Sequence, residues 1–137
     1  MTDIVKIWVA PFLILFFGRL ALDYVYFRFL VHKLLNKTVF KISNGGIVQE
    51  RLWLGSISFL ILTVGVYFNV MFHYQHYSVL VLTLQGALYS LAVWSTFNFM
   101  NFILFEGWEL QMVMTDTSYG TVTNTALVCI TAFVIKM

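Results

Sequence analysis

LALDYVYFRFLVHKLLNK, residues 20–37, begins as a membrane helix reads and ends as a basic patch. Asp23 interrupts its apolar part, and Arg19 stands four residues earlier on the same helical face. A charge at mid-bilayer costs roughly 2.5–3.5 kcal/mol on insertion scales, so such a carboxylate needs a partner. If this stretch spans a membrane, the protein carries a polar element inside an apolar bundle.

The composition around it says that it does. Of 137 residues, 61% are hydrophobic and 10% charged, with mean hydropathy +0.87. Ordinary globular chains hold about 45–50% apolar residues. Four long apolar segments stand out, at about 4–31, 52–72, 78–105 and 110–135. A spanning helix needs about 20 residues at about 1.5 Å each, and each segment has them. The runs do not alternate as barrel strands would. The expected fold is therefore all-α, a compact bundle of four transmembrane helices forming one domain over 1–137. The first run exceeds the 7–15 residues or so of a leader's apolar region and lacks a small-residue cleavage site, so it reads as a retained helix. Pro11 marks that helix's true start or kinks it.

Residues 32–51 form the one sizeable loop. Within it, HKLLNKTVFKI (32–42) reads either as an amphipathic helix on the membrane surface, stopped by Ser43-Asn44-Gly45-Gly46, or as a solvated basic loop. Lys33, Lys37, Lys41 and Arg51, with Arg28 at the edge, outweigh Lys6 and Lys136 on the other side. The positive-inside rule puts this loop in the cytoplasm and both termini outside. Trp8, Trp53, Tyr74, Tyr77 and Trp108 fall where aromatic belts form.

Counted from the cytoplasmic ends, Asp23, Asn98 and Asp116 lie at similar depth on three helices, roughly 9–12 Å in. Arg19, Asp23, Asn98, Asn101 and Asp116 are the expected buried polar cluster. It serves either as packing glue or as a binding or ion site. Asp116, Gly120 and Asn124 recur every four residues with Thr123 beside them, a small and polar stripe of the kind helix contacts use.

Weaker signals remain. His73 and His76 lack a neighbouring carboxylate or cysteine and read as loop residues, not a metal site. Glu106 and Glu109 read as solvated loop charges. The single cysteine, Cys129, reads as a small apolar helix residue and excludes an intramolecular disulfide. No HExxH, GxSxG or phosphate-cradling motif is present, so no catalytic residue, metal or cofactor is assigned. A net charge of +2 is too small to suggest nucleic acid.

TFNFMNFILFEGW (96–108), followed by TDTSYGT (115–121), resembles a family of small four-helix membrane proteins. That family is known mainly from bacteria and catalogued as the domain of unknown function numbered twenty-one seventy-seven. Thr96, Phe97, Asn101, Gly107, Trp108, Asp116, Tyr119, Gly120 and Thr121 fit its pattern, as do Asp23 and Tyr26 in the first helix. Asn98 stands where the family's third helix carries an acid. The resemblance implies a fold and inward-facing polar residues, and no activity.

Three functions fit these features. The favoured one is a structural or accessory role, as a membrane-complex subunit or a virion membrane component, with protein partners or a second copy in the bilayer. The alternative is a small oligomeric transporter or channel using Asp23 and Asp116. An enzyme using those acids on a lipid or quinone comes last, for want of a nucleophile or metal set.

Overall fold

The computed structural model describes residues 8–43 and 53–137. Among them every regular element is helical, and apolar side chains crowd the outside. Phe29, Leu30 and Ile103 are each more than 70% exposed, while Arg19 and Asp23 are sealed inside. Water would reverse that arrangement; lipid permits it.

Helix α1 runs Ala10–Val25 with Pro11 in its first turn, where a missing N–H costs no ladder bond. A π-helical turn, Tyr26–Leu30, extends it and closes on the bond from Val31 N–H to Tyr26 O at 2.9 Å. The chain then bends at Val31 into α2, His32–Ser43. Of the two readings of that stretch, the structure takes the helix. The stop at Asn44-Gly45-Gly46 and the charges Lys6 and Arg51 lie outside the described residues.

Helix α3 is Trp53–Asn69, shorter than the expected 52–72. Asn69 Nδ2 donates back to Gly65 O at 2.8 Å, a local bond that competes with the helical ladder. A 3₁₀ turn, Met71–His73, carries the chain on. Helix α4, Val79–Leu104, opens on Ser78, whose hydroxyl accepts from Val81 N–H at 3.3 Å. Helix α5 is Leu110–Lys136. Among the described residues three rods are long and apolar enough to cross a membrane: Ala10–Leu30, Val79–Leu104 and Leu110–Lys136. The apolar part of the fourth, Ile57–His73, is shorter.

Helices α4 and α5 form the closest pair, with α1 against α5 and α3 against α1. Two glycines permit the α4–α5 approach. A Cβ on Gly86 would stand 2.9 Å from Val128 Cγ2, and one on Gly120 would penetrate the Trp94 ring. One end of the bundle closes on Leu15, Val66, Val70, Leu82, Val128 and Ala132. The other closes on Tyr26, Val31 and Met112, with Leu34 and Leu35 of α2 packed against them. The polar residues lie between the two. Helix α3 scarcely meets α4, which leaves a gap on that side.

Candidate functional site

Arg19 and Asp23, one turn apart on α1, point inward together and are each 2% exposed. Arg19 Nε donates to Asp23 Oδ2 at 2.7 Å. Its Nη1 reaches α5, donating to Thr123 Oγ1 at 2.8 Å and Asn124 Oδ1 at 3.3 Å. The guanidinium carbon lies 4.7 Å from the Trp94 ring centre and 5.4 Å from that of Tyr119. Tyr119 in turn stacks on Tyr26, 3.6 Å between centroids. The π-helical turn carries Tyr26, so the irregular end of the first span sets that stack.

The second half of the cluster joins α4 to α5. Asn98 Nδ2 donates to Asp116 Oδ2 at 3.0 Å and to Trp94 O at 3.1 Å, and Asn98 is fully buried. Thr117 Oγ1 also reaches Trp94 O, at 3.4 Å. The stripe Asp116–Gly120–Asn124 faces the interior along α5, with Trp94 laid over Gly120. Arg19, Asp23, Asn98, Asp116, Thr123 and Asn124 thus share one interior. Asn101 does not join them: it is half-buried and makes no side-chain hydrogen bond among the described residues. Of the other motif residues, Thr96 is exposed, Thr121 is half-buried, and Gly107 packs against Lys41 and Ile42 of α2.

The network is incompletely satisfied. Asp23 Oδ1, Asn98 Oδ1, Asn124 Nδ2, Trp94 Nε1, Tyr26 Oη and Tyr119 Oη are buried without hydrogen-bond partners. Tyr119 Oη faces Asp23 and Tyr26 Oη faces Asp116. The cluster holds one guanidinium and two carboxyl groups: Arg19 pairs with Asp23, and among the described residues Asp116 has no ion pair.

The gap beside α4 forms a cleft of about 370 Å³. Phe27, Leu35, Leu62, Phe97 and Trp108 wall it, and Asp116 supplies its carboxylate. Phe97 meets Trp108 edge-on, with 6.4 Å between centroids.

Outside the interior, Glu109 is not the free loop charge its position suggested. Lys37 Nζ donates to Glu109 Oε2 at 3.2 Å, and Lys41 Nζ donates to Oε1. These bonds hold the Glu109 carboxyl below the ordinary glutamate range. Glu106 stays exposed, as do His73 and His76. The sequence signal for the contact was present: two lysines four apart share a helix face. Trp94 as Arg19's platform carried no such signal, because it depends on how α4 and α5 align.

An all-helical chain with apolar walls and a charged interior defines a class, the helical membrane proteins. The family model described as "Predicted membrane protein (DUF2177)" matches residues 8–134, and the chain belongs to that family. No curated protein and no solved structure matches it.

Proposed function

We propose that the protein is a small membrane carrier that crosses the bilayer four times and exchanges a proton or cation at the Asp23–Arg19–Asp116 cluster. One observation carries this reading: buried polar atoms of the cluster, Asp23 Oδ1 and Asn98 Oδ1 among them, lack partners, around two carboxylates of which only Asp23 pairs with the arginine. More than about 90% of buried polar groups in folded proteins find a partner. A cluster that served only as glue would close its bonds. This one leaves an uncompensated acid and open acceptors, which a proton, a cation or bound water completes.

The four crossings rest on length and on parity. Helix α3 and its 3₁₀ turn together reach about 30 Å, close to the hydrocarbon thickness. Glu109 bonds Lys37 and Lys41, so α2 and the α4–α5 turn share one side. The chain leaves that side through α3 and returns through α4. If α4 crosses, α3 must cross too. Basic residues make that side the cytoplasm, with both termini outside.

The test is proton and monovalent-cation flux in proteoliposomes. Asp23→Asn and Asp116→Asn are each expected to lower flux at least tenfold while the protein stays folded. Wild-type rates in both variants would end the carrier reading.

A second reading, accessory subunit of a larger assembly, has its own support. Leu80, Leu84, Leu88 and Leu91 make an exposed ridge along α4, suited to a neighbouring helix or a second copy. Particle mass in native lipid discs separates the cases. A defined hetero-complex favours the subunit, and a homo-oligomer favours a carrier built from several copies.

A further inference from the structure

We infer that the cleft beside Asp116 is a binding site for an amphipathic organic cation, one with a positive head and an apolar body, entering from the lipid. The inference rests on the carrier reading and names the cargo for it.

Volume comes first. About 370 Å³ lies within the range of roughly 300–1,000 Å³ that small-molecule sites occupy. An inorganic ion needs no such space. The wall is almost wholly apolar, with Phe27, Phe59, Trp94, Phe97 and Trp108 supplying five aromatic rings. Phe97 is itself 53% exposed, so the cleft opens on the outer face of the helices, where lipid lies.

Charge decides the head group. Asp116 is 4% exposed, lines the cleft, and has no ion pair among the described residues. Its Oδ2 takes one neutral hydrogen bond, from Asn98. Arg19, the nearby cation, is already committed to Asp23, Thr123 and Asn124. An anion entering the cleft would meet a buried carboxylate in a low dielectric and be repelled. A neutral lipid tail would fill the walls and leave the acid uncompensated. A cation satisfies both, and aromatic faces attract it further.

The experiment is equilibrium binding of tetraphenylphosphonium to the protein in lipid nanodiscs, with tetraphenylborate as the matched anion and empty discs as background. Saturable binding of the phosphonium and none of the borate is expected. Asp116→Asn should weaken it at least tenfold, and Leu62→Trp, which fills the cleft without touching the acid, should do the same. If Asp116→Asn does not fold, Asp116→Glu must retain binding within a few-fold while Leu62→Trp loses it. Equal binding of both ions, or affinity untouched by Asp116→Asn and Leu62→Trp, overturns the inference. Phosphonium binding absent, with proton flux still sensitive to Asp23→Asn, overturns the cleft assignment alone and leaves the carrier reading standing. Absence of both overturns the two together.

Discussion

Arg19 shows how a single side chain organises an apolar bundle. Its planar fork reaches an acid on its own helix and two acceptors on another, while its flat face rests near Trp94. A lysine's single ammonium cannot make that set of contacts. Removing the arginine leaves Asp23 buried without its counter-charge, a loss of about 3–5 kcal/mol. Arg19→Leu should therefore unfold far more readily in detergent, and Arg19→Leu with Asp23→Leu should recover most of the difference. A double variant no more stable than the single would show that the pair is not a unit. Gly120 is the complementary case, a residue needed for what it lacks. Gly120→Val drives a side chain into the Trp94 ring, at a cost of about 1–3 kcal/mol and with a shift in tryptophan emission. The four-residue spacing of Asp116, Gly120 and Asn124 already put them on one face. What lies over Gly120 was not legible, because the partner sits 26 residues back on another helix whose register no local pattern encodes.

At the scale of elements, α2 is the piece the sequence left open. HKLLNKTVFKI has an apolar face of only Leu34, Leu35, Val39 and Ile42, which suits a surface helix or a collapsed loop equally. Contacts remote in sequence decide it: Leu34 and Leu35 reach the Tyr26–Met112 cluster, and Lys37 and Lys41 hold Glu109. This latch has a pH signature. The folded Glu109 carboxyl titrates below its ordinary value of 4.5, so its contribution is complete above that value. It is lost as pH falls through the lowered folded value. Hydrogen exchange of α2 amides, corrected for intrinsic rates, should lose protection only in that acid range. Glu109→Gln should remove the step, and molar salt should weaken the latch at neutral pH because the lysines are exposed. A step unchanged in Glu109→Gln would assign the latch to other groups. The long helices α4 and α5, by contrast, were readable almost to their ends, since apolar length and the short EGWE turn leave few alternatives.

The whole molecule turns on whether α3 crosses. Composition alone made four spanning segments, but the third helix ends at Asn69 and passes into a 3₁₀ turn over Met71–His73. No hydropathy average carries that information, because it smooths over the few residues at which a helix ends. The latch argues for a crossing, for it ties α2 to the turn after α4 and so favours an even number of crossings between them. Single-cysteine variants test this directly on a Cys129→Ser background. Asn36→Cys on α2, Gln75→Cys after α3 and Glu106→Cys after α4 all replace exposed residues, so an impermeant maleimide can reach each. With four crossings, Asn36→Cys and Glu106→Cys react from one side and Gln75→Cys from the other. On the positive-inside rule the first side is expected to be the cytoplasm. Were α3 to stay on one face, Gln75→Cys would react with Asn36→Cys, and Glu106→Cys would lie across the membrane from them. Glu109 could not then reach Lys37 and Lys41, so the labelling pattern and the latch stand or fall together.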